Sequence, residues 1–127
     1  MSLDGTKIVV IDDTPSIRTF LRVSLEYEGA EFLEAASARE GLEICARENP
    51  DLVILDLGLP DVDGLDILPK IKETQPGKKP PVLVLTVRKG RETIKEAYDK
   101  GADSYLTKPF VIDDLIEIIE EKVGHAA

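Results

Sequence analysis

D-L-V-I-L-D-L-G-L-P-D-V-D-G, residues 51–64, is the stretch that decides the fold. It opens with Leu52–Leu55, four apolar residues with no polar alternation, and then reaches a carboxylate, Asp56. A short continuous apolar run reads as a strand buried on both faces, as in a parallel sheet. Gly58 and Pro60 break the run, and Asp63-Gly64 precede Leu65, Leu68 and Ile71 at helical spacing. Asp63 is therefore expected to cap a helix, its side-chain oxygen taking up a free N–H of the first turn. D-V-D-G also has the opening of a calcium loop, but the later ligands and the closing Glu are missing at the required spacing. Asp61 and Asp63 are weaker metal candidates for that reason.

The same alternation recurs outward from this unit. Apolar runs at Lys7–Ile11, Phe32–Ala35, Val82–Leu85 and Ser104–Leu106 join Leu52–Leu55 to make five strands. Ile17, Phe20, Leu21, Ser24 and Leu25 line a first helix that opens at Pro15-Ser16 and ends near Gly29. A second helix runs from an N-cap at Ser37 to Asn49-Pro50, and a third starts after Asp63-Gly64. A fourth covers Arg91 to Lys100, and the last holds Leu115, Ile116, Ile118 and Ile119. Pro69 lies inside the third; lacking an N–H and crowding the carbonyl four residues back, it is expected to kink that helix or delay its start. The order reads (βα)5, an α/β fold with a parallel sheet, right-handed crossovers and helices on both faces. Ligands of such sheets bind beyond the carboxyl ends of the strands, where strand order reverses.

Composition narrows the function. The 127 residues suit one domain, and 43% hydrophobic with 32% charged residues describes a soluble globular chain. A formal net charge of −9 argues against nucleic-acid binding, which needs clustered Lys and Arg. It suits a protein that binds a divalent cation or a basic partner. The one cysteine, Cys45, excludes an internal disulfide and a thiolate zinc cluster, and it reads as a buried structural thiol. The one histidine, His125, stands near the end of the chain, where a catalytic triad is not built. No apolar run approaches the ~20 residues that span a bilayer, and no signal-peptide pattern opens the chain, so a cytoplasmic protein with no membrane contact is expected. Met1 to Leu3 are read as a cloning addition, and the domain is placed at residues 5–124.

The strand ends carry the chemistry. Asp12-Asp13 follow the first strand, Asp56 the third, Thr86 the fourth, and Lys108-Pro109 the fifth. A lone Asp in such a place is most often a helix cap, a lone Thr likewise, and a lone Lys is usually solvated. Together they are a nucleophile, a hydroxyl and a cation around an acidic cluster. Two unit charges about 4 Å apart repel by roughly 4 kcal/mol at an effective dielectric near 20. Protonation or a cation must offset that. A hard divalent ion such as Mg2+, which binds through one or two carboxylates and accepts phosphate oxygens, answers the need. A carboxylate can in turn attack phosphorus to give an aspartyl phosphate.

Four motifs resemble those of the response-regulator receiver domain of two-component signalling: V-V-I-D-D-T-P (9–15), D-L-V-I-L-D-L-G-L-P-D-V-D-G (51–64), V-L-V-L-T (82–86) and G-A-D-S-Y-L-T-K-P-F (101–110). The resemblance covers Lys7 to Val123 and implies a doubly wound, flavodoxin-like sheet of order 2-1-3-4-5. It implies Asp56 as phosphoacceptor, served by a histidine kinase or histidine phosphotransfer protein. It implies Mg2+ (with Mn2+ able to substitute) held by Asp13, Asp56 and the backbone carbonyl of Gly58, with Asp12 acting through a water. Lys108 would pair with the phosphoryl group, the Lys108–Pro109 bond would be cis, and Thr86 with Tyr105 would form the switch. The surface of the fourth helix, fifth strand and fifth helix would then signal to an output domain or protein. The domain would not be an enzyme beyond assisting its own phosphorylation and dephosphorylation.

Three departures from the family stand out. Gly58 is smaller than usual two residues after the phosphoacceptor, Val87 is bulkier than usual after Thr86 and is expected to narrow the entrance, and the last helix has no basic residue before Lys122. The last of these implies a domain that is mainly monomeric when unphosphorylated. The competing reading is a pseudo-receiver, an interaction module that is not phosphorylated. A flavodoxin-like or Rossmann enzyme is disfavoured because Asp12-Asp13-Thr14-Pro15-Ser16 is no Gly-rich phosphate loop. An aspartyl phosphatase would need a second acid after its nucleophile, where this chain has Leu57-Gly58.

Overall fold

The computed structural model describes residues 2–124, and His125 lies outside them. Five strands alternate with five helices: β1 (Lys7–Ile11), α1 (Pro15–Tyr27), β2 (Glu31–Ala35), α2 (Ala38–Glu48), β3 (Leu52–Leu55), α3 (Gly64–Lys72), β4 (Val82–Thr86), α4 (Arg91–Asp99), β5 (Ser104–Thr107) and α5 (Ile112–Lys122). All pairings are parallel, and the sheet order is β2-β1-β3-β4-β5. Strand order therefore reverses between β1 and β3, and both run out at the same edge, Ile11 lying beside Leu55.

Alternate residues of the central strands feed two cores. Val9, Ile11, Val53, Leu55, Val82 and Val84 pack with Ile44 and Cys45 of α2 and Leu65, Leu68 and Ile71 of α3. Ile8, Val10, Leu52, Ile54, Leu83 and Leu85 pack with Leu21 and Leu25 of α1 and Leu115 and Ile119 of α5. β1, β3 and β4 are thus buried on both faces, which is why they read as unbroken apolar runs. Leu3, upstream of residue 5, is fully buried in the second core, and its N–H donates to the Glu28 carbonyl at 2.9 Å. The Cys45 thiol is also buried, which pushes its pKa up to about 12 and leaves it a poor nucleophile at neutral pH.

Local chemistry sets the helix ends. α1 stops at a Gly29 with φ of 97°, a left-handed conformation that glycine adopts without Cβ strain. Ser37 caps α2 by accepting from the Glu40 N–H, and Asp63 caps α3 by accepting from the Leu65 N–H at 2.9 Å. α3 nevertheless begins at Gly64 and runs through Pro69 to Lys72, so its start is not delayed. The proline removes a single intrahelical bond, and the burial of Leu65, Ile67, Leu68 and Ile71 outweighs that loss.

Candidate functional site

The backbone ladder delivers the polar residues to one edge of the sheet. Beyond the strands, Asp12 N–H donates to Ala35, Asp56 N–H to Ile11, and Lys108 N–H to Thr86, at 3.0, 2.9 and 2.8 Å. These bonds fix three side chains, far apart in sequence, at the same height. One carboxylate oxygen from each of Asp12, Asp13 and Asp56 lies within 4.8 Å of the others. Asp12 and Asp56 are buried, at 2% and 8% exposure, whereas Asp13 faces solvent.

Lys108 closes the cluster. Its Nζ lies 2.8 Å from Asp12 Oδ2 and 3.0 Å from Asp56 Oδ2. Burial alone would lower the pKa of this ammonium, but the hydrogen bonds and charges of Asp12 and Asp56 outweigh it and hold the pKa above the ordinary lysine value. The other oxygen of each carboxylate is held by the backbone: Asp12 Oδ1 accepts from Thr14 N–H at 2.9 Å, and Asp56 Oδ1 from Gly58 N–H at 3.1 Å. Asp12 thus shapes the turn into α1 and serves the acidic cluster as well. The Lys108–Pro109 peptide bond is cis.

Thr86 is 1% exposed, and its hydroxyl has no hydrogen-bond partner among the described residues. Such a group costs about 1–3 kcal/mol, so a functional partner is the natural explanation. Three carboxylates against one lysine leave about two negative charges uncompensated. Hard oxygen ligands and that imbalance fit a divalent cation.

The loops around the cluster add contacts that the sequence reading did not foresee. The Arg88 guanidinium grips Asp63 with both terminal nitrogens, at 3.3 and 2.9 Å, joining the β4–α4 loop to the start of α3. The Arg88 carbonyl accepts the Tyr105 hydroxyl at 2.9 Å. Asp61 reaches the amino end of α2, accepting from Ala38 and Arg39 N–H at 2.9 and 3.0 Å, which lowers its pKa. These pairs join loops remote in sequence, and no local pattern announces them. Val87 is exposed beside Lys108, on the rim of an apolar cleft of about 350 Å3 that Ile17, Phe20, Pro109 and Phe110 also line.

A largely buried acidic cluster with a lysine and, among the described residues, an unpartnered hydroxyl at the switch point of a 2-1-3-4-5 sheet is the arrangement of a phosphoryl-receiving signalling domain. The family model of the response regulator receiver domain matches residues 8–120, and the chain belongs to that family. Among curated relatives, it is 42% identical over 110 residues to the KDP operon transcriptional regulatory protein KdpE of Escherichia coli K12, covering 87% of this chain and 48% of the relative. The chain thus spans about half the length of the first relatives it matches. A CheY-like receiver domain from Methanospirillum hungatei JF-1 superposes with a TM-score of 0.87 at 34% identity, covering 93% of each chain. The BeF3-activated DrrB receiver domain does so with a TM-score of 0.83 at 30% identity, covering 93% of this chain and 97% of that one. The sheet order and the receiver assignment read from the sequence both hold.

Proposed function

We propose that the domain receives a phosphoryl group on Asp56 from a histidine kinase or histidine phosphotransfer protein. The observation that carries this is the meeting of Asp12, Asp13 and Asp56 with Lys108 and the unpartnered Thr86 hydroxyl at one sheet edge. An Asp56 oxygen attacks phosphorus as the bond to the donor's imidazole nitrogen breaks, and the released imidazole takes a proton from solvent. Asp13, Asp56 and the Gly58 carbonyl would hold Mg2+, or Mn2+ in its place, with Asp12 acting through a water. That ion supplies charge neutralisation for the phosphoryl oxygens. Lys108 then turns from the carboxylates to the phosphoryl group, and Thr86 donates its hydroxyl to a phosphoryl oxygen. Moving Thr86 makes room for the Tyr105 ring to turn inward, and the α4–β5–α5 surface presented to an output domain or protein changes with it.

The domain, residues 5–124, is a phosphoacceptor that assists its own phosphorylation and dephosphorylation rather than a turnover catalyst. It acts in the cytoplasm, is mainly a monomer when unphosphorylated, and makes no direct nucleic-acid contact. The net charge of −9 supports the last point. Among the described residues no helix is long and apolar enough to cross a membrane. No finding favours the pseudo-receiver reading.

Intact mass spectrometry after incubation with acetyl phosphate tests the assignment. One phosphoryl addition is expected with Mg2+ and none without it, and Asp56→Asn is expected to accept none. Addition that persists in Asp56→Asn would move the acceptor elsewhere.

Asp13→Asn separates the ion from the fold. Removing one charge from the cluster is expected to stabilise the metal-free protein by about 1 kcal/mol, since Asp13 is exposed and its repulsion is screened. With millimolar Mg2+ the order is expected to reverse, because ligand binding to the native state stabilises only the wild type strongly. Urea unfolding in both buffers measures this, and a variant weaker in both would refute the repulsion argument.

A further inference from the structure

Asp61 is the acid of the D-V-D-G stretch that has no part in the acidic pocket. Both its oxygens are engaged at the amino end of α2, where Oδ1 accepts from Ala38 N–H at 2.9 Å and Oδ2 from Arg39 N–H at 3.0 Å. A carboxylate on two first-turn N–H groups is a helix cap, and its charge suits that end of the helix dipole. This cap comes from a loop 23 residues further along. α2 has a cap of its own as well, since Ser37 accepts from the Glu40 N–H at 3.2 Å. What Asp61 adds is a tie between the helix and the β3–α3 loop.

That loop carries Gly58. Residues 58–63 form a narrow hairpin, closed by an antiparallel bridge between Gly58 and Asp63 and by the Gly64 N–H on the Leu57 carbonyl at 2.8 Å. Leu57 is fully buried and fixes the root, whereas Gly58, Pro60 and Val62 are exposed. Asp56 Oδ1 holds the Gly58 N–H at 3.1 Å, but the Gly58 carbonyl belongs to the next peptide, shared with Leu59. A Cβ at Gly58 would meet nothing closer than that same oxygen at 4.0 Å, so sterics leave this peptide free to turn. Leu59 packs only partly against the core, which leaves Asp61 to fix the tip.

We propose that Asp61 is a positioning residue that sets the divalent-cation preference of the pocket by bracing the Gly58 carbonyl against α2. Bracing matters to the ion only if that carbonyl is a ligand beside Asp13 and Asp56, as in the phosphoacceptor reading. Mg2+ demands near-ideal octahedral geometry at about 2.0–2.1 Å, whereas Ca2+ accepts irregular oxygen shells at about 2.3–2.6 Å. A carbonyl held in one direction serves the smaller ion, and one that swings serves the larger ion almost as well. Asp61 thus discriminates between ions without touching either.

Asp61→Ala cuts the tie and leaves Ser37 to cap the helix. In the metal-free protein the Leu59 amide reports the peptide that carries the Gly58 carbonyl. Its order parameter from nuclear magnetic relaxation is expected to fall from about 0.85, the rigid value, to below about 0.6. Asp61→Asn keeps one accepting oxygen and is expected to lie between. Ser37→Ala weakens the same helix end without touching the loop, so Leu59 is expected to stay rigid there. A Leu59 as rigid in Asp61→Ala as in the wild type would overturn the brace.

Calorimetric titration with Mg2+, and separately with Ca2+, gives the second readout. Asp61→Ala is expected to bind Mg2+ about ten-fold more weakly, the low end for losing a residue that orients a metal ligand. Ca2+ is expected to lose no more than about two-fold, because its shell adapts. Ser37→Ala is expected to keep the wild-type ratio of the two affinities. Equal weakening toward both ions, or an unchanged ratio in Asp61→Ala while the wild type binds Mg2+, would make Asp61 a plain helix cap and sink the selectivity alone. A wild type that binds neither ion would refute the metal reading and the selectivity with it.

Discussion

Replacing Lys108 by methionine is expected to lower the unfolding free energy of the metal-free protein by about 3–5 kcal/mol. The Lys108 side chain is 12% exposed and its partners Asp12 and Asp56 are 3% and 10% exposed, so the variant leaves two carboxylates buried without a counter-charge. Methionine keeps most of the volume and stem, so the loss is electrostatic rather than a packing defect. At about 4 °C per kcal/mol for a domain of this size, the melting temperature is expected to drop by about 12–20 °C. Mg2+ is expected to return part of that stability, because it binds the native pocket and supplies the missing charge. Calorimetry with and without Mg2+ measures both effects. A drop of less than about 1 kcal/mol would mean that the two ion pairs barely offset their desolvation.

Gly64→Ala is the second large effect. A Cβ at Gly64 would lie 2.6 Å from Leu57 Cα and 2.7 Å from the Asp56 carbonyl oxygen, both backbone atoms that cannot rotate away. The Gly64 N–H also donates to the Leu57 carbonyl at 2.8 Å, so α3 is pinned against the segment that carries Asp56. Forcing them apart is expected to cost about 2–3 kcal/mol, the upper range for overpacking. It would also displace Asp56 relative to Lys108, and a shift of about 1 Å at a reacting group slows chemistry by up to about 100-fold. Gly58→Ala is the matched control, since a Cβ there meets nothing closer than Asp56 Oδ1 at 4.0 Å. Urea unfolding and phosphorylation by acetyl phosphate, measured on both variants, test the contrast. A Gly64→Ala protein as stable and as fast as Gly58→Ala would show that the segment yields freely.

The features legible in the sequence were those that short-range pattern encodes. Leu52–Leu55 and Val82–Leu85 declared two-sided burial, and Ser37 and Asp63 declared the helix starts that they cap. The edge strand β5 was the weakest signal because its residues are only half-buried. Pro69 does not delay the start of α3, because propensity describes an isolated helix, whereas α3 is held by its buried face. In the site, Asp12, Asp13, Asp56, Thr86 and Lys108 were legible because each stands at or just past the end of an apolar run, and a parallel sheet gathers its strand ends along one edge. Arg88 on Asp63 and Asp61 on α2 were not legible as pairs. Each depends on how two loops of irregular shape face one another once the sheet order is set, and nothing in the chain near either residue records that.

The placement of Lys108 just past the last strand has a consequence for how the chain is made. Asp12 and Asp56 flank the first pair of central strands, but their shared cation stands 96 residues beyond the one and 52 beyond the other. If strands pair as they leave the ribosome, β1 and β3 bring the two acids together long before β5 exists. The half-made protein then holds its greatest electrostatic debt at the centre of its sheet, and the final strand discharges it.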